Sequence, residues 1–104
     1  MTEETYLLLV QDVKNQMGIL YDEDDDIIKR KAKSAVDWFL NSILYEPEYI
    51  IEPDTQEYSL MVERVRYDLS NSLDVFQRNY GNDIQNVISK HAILDYRKNH
   101  ATKE

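Results

Sequence analysis

The residues in this chain best equipped for chemistry are an acidic run, Asp22-Glu23-Asp24-Asp25-Asp26, and two histidines, His91 and His100. Closely spaced carboxylates can hold a hard cation such as Ca²⁺ through their oxygens. An EF-hand loop, however, needs alternating acids, a glycine at the sharp turn and a closing glutamate, and counting from Asp22 neither the glycine nor the glutamate stands where it is required. The competing role is structural. Carboxylates beside the free N–H groups of a first helical turn accept hydrogen bonds and meet the positive end of the helix dipole. Capping also accounts for Lys29, Arg30, Lys31 and Lys33, which follow at spacings that pair acid with base along a helix. Capping is therefore favoured over a cation site, and a metal-dependent hydrolase resting on the run is the weakest functional option.

His91 and His100 stand nine positions apart, on opposite sides of any continuous helix, and no HExxH pair accompanies them. His91 shares an apolar stripe and is expected to be a partly buried core residue. Ser34, Ser42, Ser59, Ser70, Ser72 and Ser89 lie in stretches of helical composition, where neither a nucleophile elbow nor a glycine-rich phosphate loop can form. With two glycines and no cysteine, the chain also lacks thiol nucleophiles, thiolate zinc sites and disulfides. No catalytic, cofactor or metal residue is assigned, and no enzymatic activity is expected.

The elements follow from punctuation. Gly18, Pro47, Pro53 and Gly81 cut the chain into four helical stretches. Tyr6, Leu9, Val10, Val13 and Met17 recur at helical steps and predict a first helix over residues 2–17, closed by Gly18. After Tyr21 a second helix carries Ile28, Ala32, Ala35, Val36, Phe39 and Ile43 on one stripe, with Ile27, Trp38, Leu40 and Leu44 outside it. The prolines make residues 45–53 an acidic extended loop. Asp54 with Glu57 resembles a capping box for a third helix, striped by Tyr58, Met61, Val62, Val65, Leu69, Leu73, Phe76 and Tyr80 and ended by Gly81. Ile84, Val87, Ile88 and His91 continue as a fourth helix, and residues 97–104 read as an aperiodic, flexible tail. The expected fold is all-α: one small domain over residues 1–96, a bundle of about four helices with an acidic loop between the second and third.

Apolar residues left off those stripes suggest contact with other molecules. The chain has eight tyrosines and one tryptophan, and aromatic side chains outside a core are what protein interfaces enrich. Trp38, Leu40, Tyr49, Ile50, Ile51, Leu60 and Tyr67 are the interface candidates. The acidic loop is either a solvated hinge or a protruding element that docks into a neighbour. Twenty acids against twelve bases leave a net charge of −8, which disfavours a grip on nucleic acid or on an anionic membrane. The apolar run Tyr6-Leu7-Leu8-Leu9-Val10 is too short to span a bilayer and lacks the basic flank of a signal peptide.

The run from Val13-Lys14-Asn15-Gln16-Met17-Gly18-Ile19-Leu20-Tyr21 through the acidic cap to Ile27-Ile28, with Ala32, Ala35 and Val36 beyond, resembles the opening of the head-tail connector family of long-tailed bacteriophages. Residues 66–80, Arg66-Tyr67-Asp68-Leu69 through Tyr80, are similar to the third helix of members from phages of Gram-positive hosts. The resemblance implies a homo-oligomeric ring subunit, or adaptor, at the head-tail junction of the virion, assembled in the host cytoplasm. It would bind the portal protein on one side and a stopper or tail-completion protein on the other, with DNA passing through without sequence-specific binding and with no membrane involved. The alternative from the residues alone is a small acidic regulator that binds and inhibits a host or phage protein.

Overall fold

A computed structural model describes residues 1–101, with side chains up to Asn99. It is all-helical. Helix α1 spans Glu3–Met17, α2 Asp25–Trp38 continuing into a π-helical turn Phe39–Ile43, α3 Gln56–Leu69 and α4 Leu73–Ala101. Thr2 caps α1: its Oγ1 accepts the backbone N–H of Thr5 at 3.2 Å. The helix stops at Gly18, whose φ of +69° only glycine adopts without strain, and the N–H of Ile19 reaches back to the carbonyl of Lys14 at 2.9 Å.

Helices α1 and α2 form an antiparallel pair, with Lys14 beside Asp25 at one end and Lys33 over the Tyr6 ring at the other. Helix α3 runs back along α2, pairing Asp68 with Lys31 and Arg64 with Trp38. It also packs on α1, where the Tyr58 hydroxyl donates to Asp12. Helix α4 then folds back on α3, so that Tyr80 meets Glu63 and Lys90 meets Glu57. Leu9, Val13, Ile28, Ala32, Phe39, Ile51, Met61, Val65, Phe76 and Val87 form a shared core with almost no exposure.

This arrangement explains residues that seemed surplus. Helix α2 contacts both α1 and α3, and α3 contacts α1, α2 and α4, so each must be apolar on more than one side. Leu60, expected on a free reverse face, is 3% exposed for that reason. Leu40 is 7% exposed because the helix widens after Trp38: the N–H of Leu44 bonds the carbonyl of Phe39, an i→i+5 step that shifts the phase of the stripe. Ile51, 0% exposed, turns inward from the acidic loop and plugs the core. These three are core residues, not surplus surface.

Two boundaries also differ from expectation. The break falls at Ser70-Asn71-Ser72, where Asn71 takes φ +55°, the N–H of Ser72 bonds the carbonyl of Tyr67 at 2.7 Å and that of Asn71 bonds Asp68 at 3.0 Å. This is a Schellman stop with asparagine in the usual glycine place. Gly81, by contrast, lies inside α4 with no positive φ. Helix α4 also continues to Ala101 through the first part of the expected tail, while residues 102–104 lie outside the described residues.

The two glycines should therefore respond oppositely to alanine. A Cβ on Gly81 meets nothing within 4 Å, so Gly81→Ala should stabilise the chain by about 0.5–1 kcal/mol through helix propensity. Gly18→Ala, placed at a left-handed φ, should destabilise it by about 1 kcal/mol. Urea unfolding followed by circular dichroism measures both, and equal signs for the pair would contradict the assignment of Gly81 to a helix interior.

Candidate interaction surface

Three clusters tie the bundle together, and they use most of the side chains that could have done chemistry. The first consumes the acidic run. Lys14, 3% exposed, places its Nζ 2.7 Å from Asp22 Oδ1 and 2.8 Å from Asp25 Oδ1. Asp24, at the N-cap of α2, makes no side-chain capping bond. The run thus helps hold the end of α1 against the start of α2, a role that Lys14 signalled only by being the sole base between Thr2 and Ile28. Hydrogen bonds to Asp22 and Asp25 push the Lys14 ammonium above its ordinary value of 10.5. Its contribution to stability is complete below that value and lost as pH rises through the raised one.

The second cluster joins the acidic loop to α3 and α4. Glu57, 2% exposed, accepts from Lys90 Nζ at 2.5 Å and from the Tyr49 hydroxyl at 3.3 Å. Thr55, not Asp54, caps α3, its Oγ1 taking the N–H of Tyr58 at 3.2 Å. His91 Nδ1 lies 2.9 Å from Glu46 Oε2, and its ring meets Tyr49 edge-on at 4.7 Å between centroids. His91 is partly buried, as its apolar stripe predicts. These groups line a hollow of about 460 Å³ together with Leu94, Asp95 and Lys98. Both hydroxyls in its wall are already engaged, Tyr49 donating to Glu57 and Thr55 to the Glu52 carbonyl, and among the described residues no group of three or more His, Cys, Asp or Glu could hold a metal ion. The site is a clamp: it fastens the loop, whose Tyr45 and Asp54 sit at positive φ, to the helical hairpin.

The third is aromatic. Arg64 stacks its guanidinium 3.8 Å from the Trp38 ring centroid, and Phe76 meets Trp38 edge-on at 6.3 Å and stacks on Tyr80 at 5.2 Å. Tyr67 joins through Phe76 and Tyr80 and accepts from Asn79. Burial pushes the Arg64 guanidinium down, with Asp68 opposing.

Of the seven interface candidates, then, Leu40, Ile51 and Leu60 are core, while Trp38, Tyr49 and Tyr67 are half-buried among internal partners. Only Ile50 is largely free, at 49% exposure. The exposed apolar surface lies elsewhere: Leu7 and Leu8 on α1, Leu20, Tyr21 and Ile27 around the α1–α2 link, and Ile93 and Leu94 on α4. Leu20 at 95% is the extreme case. The available signal was position: Leu20 and Tyr21 sit between a helix-ending glycine and an acidic run, where no stripe can bury them.

Two outcomes follow. Trp38→Ala should lower the stability of the isolated chain by about 2 kcal/mol, since it removes half of a cation–π stack and the edge of Phe76; an unchanged melting temperature would return Trp38 to the outer surface. Burial raises the Glu57 carboxyl, but the Lys90 bond and charge, with His91 and Tyr49, outweigh it and hold the group below its ordinary 4.5. That contribution is complete above about 4.5 and fades as pH falls through the lowered value. Glu57→Gln should cost about 2 kcal/mol at neutral pH and flatten the acid limb of a stability–pH curve, measurable as urea midpoints across that limb.

The sequence model of one family, described as phage gp6-like head-tail connector protein, matches residues 8–101. Searches of curated proteins and of solved structures returned no match. No described helix is long and apolar enough to cross a membrane. The matched span begins on α1 and runs through the acidic clamp, both hairpins and the whole of the described α4, so that the chain belongs to the phage gp6-like head-tail connector family.

Proposed function

We propose that this chain is a structural ring subunit at the phage head-tail junction, seated beneath the portal and joined on its other side to a stopper or tail-completion protein. Packaged DNA would cross the ring's channel. The family match over residues 8–101 carries the reading. Two features of the chain support it.

First, the polar groups that could have formed a reactive centre are spent on one another in the Lys14 and Glu57 clusters, which suits a part that works by docking and has no chemistry of its own. Second, a net charge of −8 suits a conduit. Lys and Arg along a channel would neutralise phosphates and hold the duplex, whereas an acidic wall lets it slide. The subunit would be built into the virion after synthesis in the host cytoplasm.

Mixing the purified chain with purified portal protein tests this. Co-sedimentation and negative-stain microscopy should show the chain bound to portal as an added ring of density. A chain that stays small and ignores the portal, while binding a non-structural protein, would favour the acidic regulator instead.

A further inference from the structure

Among the described residues, every base that is buried or half-buried pairs with a carboxylate except one. Lys14 holds Asp22 and Asp25, Lys29 holds Glu3, Lys31 holds Asp68 and Arg66 holds Glu63. Arg64 has only rings beside it, its guanidinium carbon lying 3.8 Å from the Trp38 centroid and 5.9 Å from that of Phe76. Its Nη1 is enclosed with no acceptor. Taking a cation out of water without an acceptor costs free energy that contact with a ring face offsets only in part.

The acids that could have served Arg64 are engaged elsewhere. Glu63, its neighbour in sequence, accepts from Arg66 at 2.7 Å and from the Tyr80 hydroxyl at 3.1 Å. Asp68, one turn on, bonds Lys31 at 3.2 Å, and Asp37, next to Trp38, accepts from Asn41 at 2.9 Å. Arg64 is only half-buried, so part of it stays open to a molecule from outside, and Trp38, Tyr67 and Tyr80 of the surrounding cluster are half-buried too. Tryptophan, tyrosine and arginine are the side chains that carry most of the binding energy at protein interfaces.

We propose that Arg64, stacked on Trp38, receives the carboxylate of an acidic side chain from a different protein. Stacking leaves the N–H groups of a guanidinium at its edge, where a carboxylate takes two parallel bonds, and the neighbouring rings cover the apolar stem of the incoming aspartate or glutamate. Nucleic acid fits the place less well. A duplex presents a row of phosphates, and the half-buried bases that α2 and α3 could add to a matching row, Lys29, Lys31 and Arg66, are already given to Glu3, Asp68 and Glu63. Copies of this chain, each at −8, repel one another, which makes another protein the better source. The site gives a chain that works by docking one point of recognition, and it requires neither a ring nor a channel.

Trp38 is the one tryptophan of the chain, so its fluorescence reports on this place directly. The probe is a blocked tripeptide of leucine, glutamate and leucine, and the control carries glutamine at its centre. Titrated into the full chain, the glutamate peptide should shift Trp38 emission and the Arg64 Nε–H resonance saturably, with a dissociation constant of the order of millimolar. The glutamine peptide should bind about tenfold more weakly or worse. Arg64→Lys, which keeps the charge and loses the fork, should weaken the glutamate peptide about tenfold, and Arg64→Gln should abolish its binding, with circular dichroism confirming that both variants are folded. Should neither variant fold, the two peptides on the wild type decide alone. A wild type with no saturable response, or one that answers both peptides equally, overturns the site. Inorganic phosphate or a short DNA duplex binding more tightly than the glutamate peptide would make it a phosphate site instead, and self-association of the wild type that Arg64→Gln abolishes would move the carboxylate to a second copy; either overturns the proposal.

Discussion

The tight reversal at Ser70-Asn71-Ser72 sets the shape of everything outside the α1–α2–α3 core. By stopping α3 and returning the chain at once, it forces α4 to run antiparallel along its predecessor. The two partners are unequal, 14 residues in α3 and 29 in α4. At 1.5 Å per residue their lengths are about 21 and 43 Å, and with Lys90 of α4 already level with Glu57 at the start of α3, the last third or so of α4 has no α3 beside it. Part of the excess is taken up by the acidic loop, which reaches His91 through Glu46 and Tyr49. The remainder projects, and the molecule measures 56 Å along its longest axis against 30 and 20 Å across.

Seen from that constraint, the Glu57 cluster is the device that decides where support ends. A carboxylate 2% exposed would be costly alone; Lys90, Tyr49 and nearby His91 make it tolerable by supplying charge and donors from two other segments. The same contacts order a loop that has little helix propensity and two strained backbone positions, Tyr45 and Asp54. Lys14 does the equivalent work at the other end of the bundle. Each buried charge joins elements that apolar packing alone would leave free to slide.

Much of the fold was legible because helical periodicity and glycine or proline punctuation act locally. The stripes on α1, α2 and α3, the stop at Gly18 and the all-α class follow from residues close in sequence. The break at Asn71 was hidden because Leu69, Leu73, Phe76 and Tyr80 keep helical spacing straight across it, and a Schellman stop with asparagine leaves no glycine to mark it. Gly81 misled in the opposite sense: a glycine in a long, well-anchored helix costs only about 1 kcal/mol, which the packing of Phe76, Ile84 and Val87 easily exceeds. The surface was the least legible part. Leu40, Ile51 and Leu60 looked surplus only on the assumption that each helix has a single buried face, which fails for any helix packed between two others. Their burial depends on which helices lie side by side, and that is non-local information.

The same non-local packing decides which charges face one another in this molecule. The acids of the α1–α2 link are held at one end by Lys14, and the bases of α4 are carried to the other by a helix twice as long as its partner. A net charge of −8 spread evenly would make copies repel in every orientation. It is carried at both ends instead: Glu46, Glu57 and Asp95 line the same hollow as Lys90 and Lys98. Apolar residues stay exposed at both ends, Leu20 and Ile27 at one and Ile93 and Leu94 at the other. Where apolar surface is left uncovered on α4 is therefore set by the length difference between two helices, which a turn of three residues brings side by side.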